Sequence, residues 1–64
     1  MKSTKFELLE IIANVKLDYA NWRKLNLAYV ELGQLDQETF DKLDQDYREI
    51  TESTIARFEA EIYL

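Results

Sequence analysis

The sequence predicts an all-α protein, an antiparallel two-helix hairpin, and three observations support this fold class. The 64 residues include no proline and one glycine, Gly33, so residues that interrupt helices are confined to one place. On both sides of Gly33, apolar residues recur three and four positions apart, which is the spacing of one helix face. A short turn at Gly33 forces the helices antiparallel and lays one apolar stripe along the other.

The first helix is predicted over residues 4–32, with Ser3 or Thr4 as a possible N-cap. Asp18 interrupts its apolar stripe, and we expect this carboxylate to find a hydroxyl or arginine partner near Ile50, Thr51 or Thr54, because a buried unpaired carboxylate is costly. The stripe consists of Leu8, Ile11, Val15, Asp18, Trp22, Leu25, Tyr29 and Leu32.

A break in the first helix is the alternative. Asn14, Asn21 and Asn26 lie within it, and asparagine is a mediocre helix former. A break near one of them would give a three-helix bundle.

The turn is predicted at residues 33–36 and the second helix at about 37–62. Gly33 suits a left-handed backbone conformation just past a helix end, and Asp36 suits the N-cap of the next helix. Folding back at this turn places Trp22 opposite Tyr47 and Tyr29 opposite Phe40. The stripe of the second helix consists of Phe40, Leu43, Tyr47, Ile50, Thr54, Phe58 and Ile62.

A second, weaker stripe on the first helix predicts a homodimer. It points away from the hairpin partner, and its alanines would allow another helix to approach closely. Paired about a two-fold axis near Asp18, two copies would form a four-helix bundle with the first helices at its centre. The predicted dimer interface consists of Phe6, Leu9, Ala13, Lys16, Ala20, Arg23, Leu27 and Val30.

The composition argues against catalysis. The chain has no cysteine and no histidine, so disulfides and the usual ligands of zinc, copper and haem are absent. The common nucleophile–base pairs cannot form without these residues. We therefore expect no enzyme activity, no cofactor, and no catalytic or metal-binding residues.

The net charge of −5 is unevenly distributed. Residues 1–33 carry five basic and four acidic side chains, whereas residues 34–64 carry three and nine. Such an acidic half disfavours direct binding of nucleic acid and favours a basic protein partner. With neither a signal peptide nor an apolar stretch of membrane-spanning length, we expect a cytoplasmic protein.

An acidic face on the second helix is the candidate site for a partner. Small acidic helical proteins include inhibitors, antitoxin-like proteins and phage-encoded antagonists, so the leading hypothesis is a module that docks on a basic surface of a larger protein. The alternative is a structural hairpin whose self-assembly is its function. The candidate face consists of Glu38, Asp41, Asp44, Asp46, Glu49 and Glu52.

Overall fold

The computed structural model describes residues 4–63, which form two helices, α1 (Lys5–Glu31) and α2 (Gln37–Tyr63). The helices pack against each other and run antiparallel, since Lys5 lies over the ring of Tyr63 at one end of the molecule while Trp22 stacks on Phe40 near the turn. The hairpin measures 46 × 16 × 16 Å. This confirms the predicted two-helix hairpin.

Helix α1 is continuous from Lys5 to Glu31, so the alternative with a broken first helix is wrong. The three asparagines are accommodated within the helix, and the Asn26 amide donates a hydrogen bond of 2.8 Å to the Trp22 carbonyl one turn earlier. Thr4 is the N-cap, because its hydroxyl accepts from the Glu7 backbone N–H at 3.1 Å. The other candidate cap, Ser3, lies outside the described residues.

The turn ends α1 in a Schellman arrangement. Gly33 adopts φ +75°, the left-handed conformation predicted for it. The Gly33 N–H donates to the Val30 carbonyl at 3.0 Å, and the Gln34 N–H donates to the Tyr29 carbonyl at 2.9 Å. These bonds satisfy carbonyls at the helix end that would otherwise lack partners.

Asp36 is the N-cap of α2, as the sequence predicts. One of its carboxylate oxygens accepts both the backbone N–H and the side-chain hydroxyl of Thr39, each at 3.1 Å. The cap fixes where the second helix starts, and Glu38 adds a favourable negative charge in the first turn.

On each helix, the side that faces the other helix is rotated from the predicted stripe by one residue position at several places. The predicted stripe members Ile11, Asp18 and Leu25 on α1 are exposed, and so are Leu43 and Ile50 on α2. In each case the next residue along the chain is buried or half-buried instead. The residues that turn inward are Ile12, Tyr19, Asn26, Asp44 and Thr51.

The apolar core is small and centred on aromatic rings. Only Leu8, Ile12 and Phe40 are buried apolar side chains within residues 4–63. Trp22 is half-buried, with its ring centroid 5.0 Å from that of Tyr47 and 5.8 Å from that of Phe40. The predicted neighbourhood of Trp22 and Tyr47 is therefore confirmed, whereas Phe40 lies against Trp22 and not opposite the exposed Tyr29.

Replacing Gly33 with alanine tests the turn. No atom lies within 4 Å of the position that a Cβ would occupy, so any cost comes from the backbone conformation and not from a clash. We expect Gly33→Ala to lower the free energy of unfolding by about 1–2 kcal/mol in chemical denaturation. Gly33→Asn is the control and should lose less, because asparagine tolerates positive φ better. Equal stability of all three proteins would contradict this account of the turn.

Candidate functional site

Asp44 is a buried carboxylate at the helix interface. Its relative exposure is 5%, so it does not belong to the exposed acidic face to which the sequence analysis assigned it. That assignment was wrong, because α2 is rotated so that Asp44, and not Leu43, turns towards α1. A charged side chain can occupy such a position only if hydrogen bonds and opposite charges replace its water.

Three side chains supply these interactions, two of them from α1. The Tyr19 hydroxyl donates to Asp44 Oδ1 at 2.5 Å, and Arg23 Nε lies 3.5 Å from the same oxygen. From the next turn of α2, Arg48 Nη2 donates to Asp44 Oδ2 at 2.9 Å, and its Nε donates to the Tyr19 hydroxyl at 3.5 Å. We refer to Tyr19, Arg23, Asp44 and Arg48 as the Asp44 network.

The network keeps Asp44 ionised. Burial alone would raise the pKa of the carboxyl, but the hydrogen bonds from Tyr19 and Arg48 and the charges of Arg23 and Arg48 outweigh it, so the pKa lies below its ordinary value. Both arginines remain about half exposed at the rim, where water screens their charges. The network therefore has a structural role, since it links the two helices across their interface.

The five exposed carboxylates of the predicted acidic face fall into two places, whereas Glu59 and Glu61 are exposed nearer the C-terminal end of α2. Four of the five form a stripe on the outer side of the helix, which we call the outer acidic stripe, while Asp46 lies apart, beside Trp22, Leu43 and Ile50 at the edge of an apolar groove. The outer acidic stripe consists of Glu38, Asp41, Glu49 and Glu52.

The outer acidic stripe has no cationic partner among residues 4–63, where the ion pairs present are those of Asp44. Its side-chain hydrogen bonds come from neutral amides: Gln37 donates to Asp41 at 2.9 Å, and Gln45 donates to Glu49 at 3.5 Å. Arg48 could have balanced this stripe, but it is committed to Asp44. The excess of negative charge is therefore left facing solvent.

The predicted dimer interface on α1 is only partly free. Phe6 is 75% exposed, but Arg23 is engaged by Asp44 and Val30 is half-buried. The stripe thus curves towards α2 at its C-terminal end. Its exposed members are Phe6, Leu9, Ala13, Lys16, Ala20 and Arg23, whereas Leu27, like Val30, is half-buried. Dimerisation through this surface stays a prediction.

The described residues contain neither a metal-binding cluster nor a membrane-spanning helix. Within residues 4–63, no three acidic, histidine or cysteine side chains converge in a way that could hold a metal ion. Neither helix, over its described length, is apolar enough to cross a membrane.

Comparison with known proteins yields no relative: no protein-family model, no curated protein and no solved structure matches the chain significantly. Function is therefore inferred from the surfaces of the molecule.

The sequence analysis missed the Asp44 network, although the sequence carries a signal for it. Asp44 and Arg48 are four residues apart on one helix, as are Tyr19 and Arg23 on the other, so each pair occupies neighbouring positions on one face. Folding back at Gly33 brings the two pairs to the same level of the hairpin. A search for matched polar pairs, in addition to apolar stripes, would have found it.

Removing the Tyr19 hydroxyl tests the network. We expect Tyr19→Phe to lower the free energy of unfolding by about 1–2 kcal/mol, because a buried charge loses a hydrogen bond. Tyr29→Phe removes an exposed hydroxyl from the same helix, and as the control it should change stability by less than about 0.5 kcal/mol. In a double-mutant cycle with Asp44→Asn, the two effects should not be additive. Additive losses would show that the hydroxyl and the carboxylate are not coupled.

The lowered pKa of Asp44 predicts how stability depends on pH. Because folding favours the carboxylate form, the contribution of Asp44 is fully present above the ordinary carboxyl pKa of about 4 and is lost as the pH falls through the lower pKa of the folded protein. Asp44→Asn lacks this group. The stability difference between the wild type and Asp44→Asn should therefore be constant above about pH 5 and shrink as the pH falls from there to about pH 2, as measured by urea denaturation. A difference independent of pH would contradict the assignment.

Proposed function

We propose that this protein is a small acidic interaction module that docks on a basic surface of a larger protein and modulates it, as an inhibitor or antagonist does. The observation that carries the proposal is the outer acidic stripe, four exposed carboxylates on one side of a capped helix, none of which forms an ion pair within residues 4–63. In a protein whose surface charges served solubility alone, both signs would ordinarily be interspersed.

The surroundings of the stripe support this reading. Of the two cations near it in sequence, Arg48 is held by Asp44, which leaves Lys42 against four carboxylates. A rigid helix presents these charges at fixed spacing. Only the side chains, and not the backbone, then lose conformational entropy on binding. Long-range attraction to a basic surface would accelerate association and weaken as salt is added.

A basic protein is the partner that this surface favours. Nucleic acid would be repelled by the stripe, because its phosphates carry the same charge. The chain offers no histidine or cysteine for common nucleophilic or metal chemistry, so the proposed function is binding and not catalysis. The lack of cysteine is also compatible with the reducing cytoplasm.

A structural role is the second candidate, and exposed apolar side chains favour it. Phe6 and Leu9 are exposed on one side of α1, and Leu25 is exposed on another, so more than one surface could join copies of the chain. The mass in solution separates the two functions. A discrete species is compatible with the binding module, whereas long or heterogeneous assemblies would favour the structural hairpin.

Neutralising the outer acidic stripe tests the binding proposal. The test protein carries Asp41→Asn, Glu49→Gln and Glu52→Gln, all at exposed positions, and leaves Asp44 unchanged so that the helix interface is preserved. We expect this variant to fold normally. When immobilised, it should no longer retain proteins that the immobilised wild type retains from a lysate of the source organism. Proteins bound by the wild type should elute as salt rises from about 0.05 M to about 0.5 M, because the Debye length shortens.

A matched control separates the stripe from net charge. Glu10→Gln, Asp18→Asn and Glu31→Gln remove the same number of exposed carboxylates from α1 and should leave binding unchanged. If the stripe variant and the wild type retained the same proteins with the same dependence on salt, the outer acidic stripe would be a solvated surface only.

A further inference from the structure

A shallow groove runs along one flank of the hairpin, opposite to the side that carries the arginines of the Asp44 network. At one end it is lined by Trp22, Leu43, Asp46, Tyr47 and Ile50. From Ile50 it continues along α2 to Phe58, and this part is lined by Glu49, Ser53, Thr54, Arg57, Phe58 and Glu61. Asp46 therefore lies towards one end of the groove and Arg57 towards the other, with Ile50 between them, while Glu49 and Glu61 add acidic side chains to the lining.

The rotation of α2 has left large apolar side chains on this flank. Leu43 is 44% exposed and Ile50 is 67% exposed, although the hairpin has few buried apolar residues to stabilise it. Exposed apolar surface alone would not identify what covers it. The arrangement of charged and small residues around these apolar side chains indicates what covers them.

The flank of α2 is complementary to itself when a second copy runs antiparallel. Its residues follow the three–four spacing of a coiled-coil seam, in the order Leu43, Asp46, Ile50, Ser53, Arg57 and Ala60. A two-fold axis between residues 51 and 52 brings each of them opposite a residue of the other copy. We call these six residues the α2 flank.

Each facing pair of the α2 flank is chemically matched. Asp46 lies opposite Arg57 of the second copy, and Arg57 lies opposite its Asp46, which gives two ion pairs related by symmetry. Ile50 faces Ser53, so a large side chain meets a small one near the axis. Asp46 and Arg57 are eleven residues apart, about three helical turns, and hence they point to the same side of the helix, as reciprocal pairing requires.

We propose that the α2 flank is a homodimer interface in which two hairpins pack α2 against α2 about this axis. An isologous interface requires a self-complementary surface, and charge together with side-chain size meets that requirement here. The apolar groove is then covered by the second copy. The dimer differs from the bundle predicted from the sequence, in which the α1 helices would be central.

This dimer is independent of the proposed partner binding and is compatible with it. Asp41 and Glu52 lie on the side of α2 away from the flank and stay accessible in such a dimer, whereas Glu49 lies at the edge of the groove. A dimer would present two such stripes to a basic partner. The experiment below measures self-association alone, so its outcome does not depend on whether a partner binds.

Exchanging the charges of the flank tests the proposal by sedimentation equilibrium over a concentration series. In Asp46→Arg, two ion pairs become two repulsive pairs, and we expect the dimer dissociation constant to rise at least about tenfold. Arg57→Asp should have a similar effect. The double variant D46R/R57D, and an equimolar mixture of the two single variants, should both recover dimers, because each arrangement restores opposite charges across the axis.

Two control variants separate loss of the interface from a general effect of charge and from loss of the fold. Asp41→Arg makes the same charge change on the outer side of α2 and should leave the dissociation constant unchanged. Ile50→Glu should abolish the dimer, and circular dichroism should show intact helices, since Ile50 is mostly exposed in the hairpin.

Three results would overturn the proposal. The first is a wild-type protein that is monomeric throughout the concentration series. The second is a dimer that survives Asp46→Arg and Ile50→Glu but dissociates with Ala13→Glu plus Ala20→Glu, which would assign the interface to α1. The third is a failure of the charge-exchanged double variant and of the mixture to recover dimers, since the Asp46–Arg57 pairing would then be absent.

Discussion

The buried carboxylate of Asp44 is the constraint on which the arrangement of the two helices depends. A buried charge is tolerated only with compensating donors, and here the donors come from both helices: Tyr19 and Arg23 from α1, and Arg48 from α2. To bring these groups together, Tyr19 and Asp44 must both face inward. The aromatic rings of Trp22 and Tyr47 then pack beside the network, with the Tyr47 ring centroid 5.4 Å from that of Tyr19 and 5.0 Å from that of Trp22.

Satisfying Asp44 has consequences on both flanks of the molecule. With Asp44 inward, its neighbour Leu43 turns outward, and one further repeat along the helix does the same to Ile50. An apolar groove therefore opens on the flank away from the arginines. On the other side, Arg48 is drawn to the interface and is no longer available to the carboxylates around it. A single polar network thus shapes the two surfaces that carry our proposals.

We propose self-association for one of these surfaces and partner binding for the other. The α2 flank combines apolar side chains with one acid and one base at symmetric positions, which suits a second copy of the same chain. The outer acidic stripe offers charge of one sign and no apolar centre, which suits attraction to a basic protein. The hairpin has only three buried apolar side chains within residues 4–63. A second copy would add the burial that a chain of this length otherwise lacks.

The sequence by itself determined the local features of the protein. Thr4 and Asp36 cap the helices, Gly33 ends the first one, and the spacing of the apolar residues favours helix on both sides of the turn; each of these effects acts within a few residues, so it can be derived from the chain alone. The tertiary structure decided which side of each helix faces the other. Adjacent residues on a helix differ by about 100°, and on α2 the apolar pattern favours a stripe through Leu43 and Ile50 over the one through Asp44 and Thr51 that the structure turns inward. The choice between them depends on hydrogen bonds between groups distant in sequence, and those exist only once the helices have docked.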